Sequence, residues 1–159
     1  MPAKAIILMG SERDLDFSKE IAKYLKAFEV SYEFRIASAH KTPEKVLAIL
    51  RELEEENVVY ITVAGRSNAL SGLVDANTIK PVVACPPYSE KYGGVDVFSS
   101  LRVPSGIGSV VTIEPESAAI VVAKIFALND KKLAETIKDY QLSKKKDIEK
   151  ADEIAKKAK

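Results

Sequence analysis

Residues 4–28 read KAIILMGSERDLDFSKEIAKYLKAF, and this stretch decides the fold. Residues 4–9 are a short apolar run rich in β-branched side chains that ends at Gly10-Ser11, the pattern of a strand buried on both faces. From Asp14 onward Phe17, Ile21, Tyr24, Leu25 and Phe28 recur at three- and four-residue steps with Lys and Glu between them, which is the stripe of an amphipathic helix.

The cycle then repeats. Ser31 to Ala37 is strand-like, and Pro43 stands at the first turn of a helix whose apolar face is Val46, Leu47, Ile49, Leu50 and Leu53. Val58 to Ala64 (VVYITVA) is the clearest strand, Pro81 to Cys85 is a shorter one, and Ser109 to Ile113 is a fifth. Pro115-Glu116 opens a helix through Ala118, Ala119, Val122, Ala123, Ile125 and Phe126. Strands alternating with helices predict an α/β fold in which right-handed crossovers build an open parallel sheet covered on both sides. Ligands in such a sheet sit at the carboxyl ends of the strands. The functional loops are therefore expected at 10–14, 38–43, 65–72 and 86–95.

Composition narrows the function. The 159 residues carry 24 Lys plus Arg against 23 Asp plus Glu, a net charge of +1. That leaves no electrostatic footprint for nucleic acid, and no run approaches the roughly 20 apolar residues of a membrane span. One Cys and one His are too few for the usual zinc site, and a single Cys forms no internal disulfide. The N-terminus has no secretion signal pattern, so the expectation is a cytoplasmic protein acting on a small molecule, with no nucleic acid or membrane partner.

The chain divides by texture into residues 1–130, the expected catalytic domain, and 131–159. The second part has ten Lys against six acids and so carries +4, leaving about −3 on the first. Leu133, Ile137, Tyr140, Ile148, Ala151, Ala155 and Ala158 mark a thin stripe at near-heptad spacing, broken by Lys144, Lys145 and Lys146. This predicts a long peripheral helix packing on a neighbouring subunit.

The candidate chemistry lies in the loops. After the first strand, free N–H groups at a helix start favour an anion, and Ser11 and Arg13 suit a phosphate. Asp14 suits a pair of sugar hydroxyls or caps the helix. In the loop after the second strand, SAHKTP (38–43), His40 is the only side chain whose ordinary pKa lies near neutrality, which makes it the candidate general acid and base. Ser38 and Lys41 add a donor and a cation. After the third strand comes AGRSNALSG (64–72), where Gly65 permits close backbone approach to a ligand. No dinucleotide or P-loop glycine pattern and no G-x-S-x-G elbow occurs. Cys85, before two prolines, reads as a packed strand end and not as a nucleophile.

In order, GSxxD, SAHKTP, AGRSNALSG, ACPP and SSLRVPSGIG resemble the PurE family of purine biosynthesis from about Lys4 to Leu128. The family has two classes. One is a mutase that moves a carboxylate from the exocyclic nitrogen of N5-carboxyaminoimidazole ribonucleotide to ring carbon C4. The other is a carboxylase that joins CO2 to 5-aminoimidazole ribonucleotide (AIR) to give 4-carboxy-AIR (CAIR). Mutases typically read AGGAAHLPG in the third motif, so AGRSNALSG with SAHK resembles the carboxylase class.

The resemblance implies a flavodoxin-like three-layer α/β/α sandwich, a homo-octamer, and a reaction without metal, biotin, ATP or any other cofactor. It assigns Ser11 and Asp14, with Ser38 and Lys41, to the phosphoribosyl part of the substrate. Gly65 and Ser67, with Arg66 and Asn68 beside them, would form the carboxylate or CO2 pocket, and His40 would handle the proton at C4. Arg66 either meets the carboxylate or pairs with a neighbouring acid. Two positions depart from the family pattern: Arg13 replaces a second Ser, and Phe17 stands where relatives often carry His. The alternatives are the mutase reaction, a nucleotide-binding or sensing module without chemistry, and a flavodoxin-type electron carrier.

Overall fold

The computed structural model describes residues 2–158. Five strands, β1 (Lys4–Met9), β2 (Ser31–Ile36), β3 (Val58–Val63), β4 (Val82–Ala84) and β5 (Val110–Val111), form one parallel sheet in the order β2-β1-β3-β4-β5. This order is that of flavodoxin-like sheets, and its direction reverses between β1 and β3. Lys4 of β1 is in register with Ser31 on one side and Val58 on the other, so the loops after β1, β2 and β3 leave the sheet at the same level.

The two-residue alternation of a strand explains the three layers. Ala5, Ile7 and Met9 of β1, with Val59, Ile61 and Val63 of β3, face α1 (Leu15–Ala27) and α5 (Pro115–Ala127). Ile6, Leu8, Val58 and Tyr60 face α2 (Pro43–Glu52) and α3 (Leu70–Asp75). Every residue of β3 is buried, which is why its sequence is continuously apolar apart from Thr62. The β2 strand lies at the edge and is half exposed. There Arg35 bonds both Glu33 and, through two nitrogens, Glu52, while Lys4 pairs with Glu33 and Glu56. Charges of this kind discourage a second chain from pairing with an open edge.

The helix over residues 131–157 is present as α6 (Lys131–Lys157), capped by the Asp130 carboxylate, which accepts from Leu133 N–H. Its first third belongs to its own chain: Leu133 and Ile137 are buried in the α1–α5 layer, and Tyr140 meets Phe28 edge-on with ring centroids 5.0 Å apart. Residues 141–158 are exposed throughout. The β3–β4 crossover contains α3, so the segment expected as a loop over 65–72 turns helical from Leu70. Between β4 and β5 the chain makes two 3-10 turns, Glu90–Tyr92 and Val95–Val97, and the short α4 (Phe98–Leu101). Phe17 packs against the α1–α5 core and does not line the cavity described next.

Candidate active site

Gly10 leaves β1 pressed against β3: its N–H donates to the Val63 carbonyl at 2.9 Å, and a Cβ there would stand 3.2 Å from that of Ala64. The next residues turn sharply. Asp14 Oδ2 accepts both Ser11 N–H at 2.9 Å and Ser11 Oγ–H at 3.1 Å, which satisfies donors at the start of a 3-10 turn that runs into α1. Burial pushes the Asp14 carboxyl up from 3.8, against the lowering effect of the two Ser11 bonds. Because Ser11 spends both donors on Asp14, the pair has only acceptors left for a ligand: the Ser11 lone pairs and Asp14 Oδ1.

The 38–42 loop is tied to itself. Thr42 Oγ1 accepts Ser38 N–H at 2.9 Å, Thr42 N–H donates to the Ser38 carbonyl at 2.9 Å, and Ser38 Oγ accepts Lys41 N–H at 3.3 Å. The side chains of Ser38 and Thr42 thus close a turn that carries His40, exposed, between them. Pro43 then starts α2.

After β3 the chain passes Gly65 and enters Arg66 at φ 59°, a left-handed conformation in a residue other than glycine. Arg66 N–H donates to Asp96 Oδ2 at 2.8 Å. The expected pairing of Arg66 with an acid therefore runs through its backbone, and its side chain is exposed. Asn68 turns away from the pocket. Its side-chain amide donates to Ser100 Oγ at 2.9 Å, and its carbonyl oxygen accepts Leu70 N–H at 3.1 Å and Ser71 N–H at 3.4 Å, capping α3. The expectation that Asn68 stands beside the carboxylate pocket is corrected by this burial.

These loops enclose a cavity of about 720 Å³ at the carboxyl ends of the strands. Ser11, Asp14, Ser38, His40, Lys41, Gly65 and Ser67 all line it. Arg13, Lys41 and Arg66 supply positive charge, and Glu12, Asp14 and Asp96 negative charge. The volume falls in the range of small-molecule sites. A Cβ on Gly65 would meet only ordinary contacts, the nearest being Asp96 Oδ2 at 3.5 Å, so the chain itself does not demand glycine there.

Pro87, Tyr88, Ser89 and Asp96 complete the wall. The first three lie in the 86–95 loop; Asp96 lies just beyond it, and its only signal is that it is the one carboxylate between Gly93 and Arg102. Tyr88 packs over Gly94, where a Cβ would come within 2.7 Å of the ring and φ is 77°. Cys85 is fully buried, and burial pushes its thiol up to about 12, so it is no nucleophile at neutral pH. Among the described residues no group of three or more His, Cys, Asp or Glu could hold a metal ion.

The family model described as AIR carboxylase matches residues 4–147. The phosphoribosylaminoimidazole carboxylase of Archaeoglobus fulgidus is 59% identical over 150 residues, spanning 94% of this chain and 83% of that one. That of Treponema denticola is 49% identical over 140 residues, 87% of this chain and 88% of the relative. The crystal structure of Treponema denticola PurE matches with a TM-score of 0.92 at 46% identity, covering 95% of this chain and 97% of that one.

Proposed function

This chain belongs to the AIR carboxylase (PurE) family, and on that premise we propose that it is a phosphoribosylaminoimidazole carboxylase. It joins CO2 to C4 of AIR to give CAIR in purine biosynthesis, and runs the same step in reverse. One observation carries the reading: His40, on its self-tied turn, shares a single cavity with the Ser11–Asp14 pair and the Gly65–Ser67 turn.

AIR is an electron-rich enamine, so C4 can attack CO2 once the two are held together, and positioning supplies much of the rate. The new C–C bond leaves C4 tetrahedral, bearing both hydrogen and carboxylate. His40 takes that proton, the electron pair returns to the ring, and aromaticity is restored. In reverse, protonated His40 delivers a proton to C4 and CO2 departs.

The remaining acceptors of Ser11 and Asp14 suit the hydroxyl donors of the ribose. Ser38, whose hydroxyl proton is not needed by its own loop, and Lys41 suit the phosphate. Gly65 and Ser67 face the carboxyl group, where backbone N–H and hydroxyl donors stabilise developing charge. In the mutase motif a His stands where this chain has Ala69, and Ala69 lines the cavity. The absence of a second imidazole there supports the carboxylase over the mutase.

We also propose that the chain assembles as a homo-octamer in the cytoplasm, residues 1–130 forming the catalytic domain and the exposed part of α6 seating on a neighbour. Leu142, Ile148 and Ile154 on that part are 49%, 72% and 71% exposed, which leaves apolar surface for a partner to cover. No helix among the described residues is long and apolar enough to cross a membrane.

The test follows N5-carboxyaminoimidazole ribonucleotide labelled in its carboxyl carbon, without ATP or metal, in excess unlabelled bicarbonate. Unlabelled carboxylate in CAIR, while the remaining substrate keeps its label, is the expected result. Retained label means a mutase, and binding without product means a nucleotide-binding module.

A further inference from the structure

Arg66 is one of two residues other than glycine with positive φ among the described residues, and it lies on the cavity wall. A left-handed side chain costs free energy unless its surroundings hold it, and such residues gather at functional sites. What holds Arg66 is its backbone, bonded on both sides of the residue to a segment some thirty positions away. Its N–H donates to Asp96 Oδ2 at 2.8 Å, and its carbonyl accepts from Ser99 Oγ at 2.7 Å. The same Ser99 oxygen lies 2.8 Å from the Asp96 carbonyl and accepts Asn68 N–H at 3.0 Å. The 94–99 turn thus grips the 65–68 turn at three successive peptides.

A carboxylate is a poor neighbour for a carboxyl group, because two like charges at close range repel. Asp96 nevertheless lines the cavity, with Oδ2 3.5 Å from where a Cβ on Gly65 would stand. Commitment of that oxygen to Arg66 N–H gives the charge a partner and a task. Without that acceptor only the Ser99 Oγ bond to the Arg66 carbonyl is left to offset the left-handed conformation. Arg66 would then relax toward negative φ, and the peptides on either side of it would rotate.

We propose that Asp96 is a positioning residue for the carboxyl-transfer step, which by accepting the Arg66 N–H holds the Gly65–Ser67 turn in the conformation that receives CO2. The assignment rests on the carboxylase reading above. Asp96 acts through Arg66 and does not touch the reacting atoms.

Steady-state carboxylation of AIR, with AIR and CO2 varied separately, tests it on the full-length protein. Losing a hydrogen bond to a charged group predicts that Asp96→Ala lowers kcat/KM for CO2 by about ten- to a hundredfold, with KM for AIR changed less than about threefold. Asp96→Asn, whose amide oxygen can accept the same bond, is expected within about threefold of the wild-type protein. In the Arg66→Gly background, where positive φ is unstrained, the Asp96→Ala penalty should shrink to less than about threefold. Equal losses for Asn and Ala would show that the charge itself acts on the substrate and would overturn the proposal. So would an undiminished Ala penalty in the Arg66→Gly background, or unchanged kinetics for Asp96→Ala.

A crystal structure of Asp96→Ala reads the geometry independently of turnover. Arg66 at negative φ is expected, and Arg66 still left-handed would overturn the assignment. A wild-type protein that makes no CAIR from AIR and CO2 would instead refute the carboxylase reading, leaving that structural readout to decide the role of Asp96 in the turn.

Discussion

Replacing Asp14 by Asn and by Ala separates the carboxylate's structural work from its binding work. Oδ2 accepts two bonds from Ser11, and burial holds the carboxyl above its ordinary 3.8. A carboxyl whose native pKa is raised takes up a proton more readily folded than unfolded. Its contribution to stability is fully present below the unfolded value, near 3.9, and is lost as pH rises through the native one. At pH 7 the ionised Asp14 therefore destabilises the fold relative to a neutral group of the same shape. Asp14→Asn keeps an acceptor for Ser11 and has no charge to bury, so it melts at or above the wild-type Tm at pH 7, and the gap closes as pH falls toward 4. Asp14→Ala also removes the acceptor, which costs about 1 kcal/mol for a lost cap. It should melt about 2–4 °C below Asp14→Asn, the shift expected for that energy in a chain of this size.

Binding moves the other way. A hydroxyl bonded to a carboxylate contributes about 1.5–3 kcal/mol, so both variants should weaken AIR by about ten- to a hundredfold. The assays are thermal melts at pH 7.5 and 4.5 and calorimetric titration with AIR. An Asp14→Asn protein less stable than wild type at pH 7, with the gap widening in acid, would refute the reading of the buried charge. Unchanged affinity would reduce Asp14 to a helix cap.

His40→Asn should abolish turnover, by about a hundredfold or more, while AIR still binds in titration; surviving turnover would place proton transfer on another group. Ending the chain at Ser143 keeps Leu133, Ile137 and the Tyr140–Phe28 contact, so its circular-dichroism signal should equal that of the full chain less the helix of residues 144–157. Its mass by light scattering should fall, and an intact assembly would show that residues 144–159 are peripheral. Deleting all of 131–159 uncovers the α1–α5 layer. At about 1.5–3 kcal/mol for each large buried side chain lost, its Tm should drop by about 10 °C or more, and an unchanged melt would show that α6 adds nothing to the core.

Much of the fold is legible because local patterns record it. The apolar runs of β1 and β3 announce burial on both faces, the stripes of α1, α2 and α5 announce their inner sides, and Pro43 and Pro115 stand where two of those helices begin. Short elements left weaker marks. α3 is six residues, LSGLVD, less than two turns, with a glycine inside, so no stripe can repeat. β5 pairs through only two residues, and the sheet ends there.

The sequence by itself settled which loops matter, because a parallel sheet sends the segment after each strand to the same edge. That topology places the loops of Ser11, Asp14, Ser38, His40, Lys41 and Gly65 together, the family resemblance adds Ser67, and all seven line one cavity. Only the tertiary structure decided which neighbours of those residues face that cavity. Asn68 looks like a site residue in AGRSNALSG yet is buried against Ser100, while Asp96 and Ser99, thirty positions on, hold Arg66 left-handed. Likewise the stripe of α6 resumes in sequence after Lys144–Lys146, but its own core covers Leu133 and Ile137 and leaves Ile148 bare. Periodicity reports which side of an element is apolar; what meets that side, and which way a loop side chain turns, depends on contacts between residues far apart in the chain, and these exist only once the layers have packed.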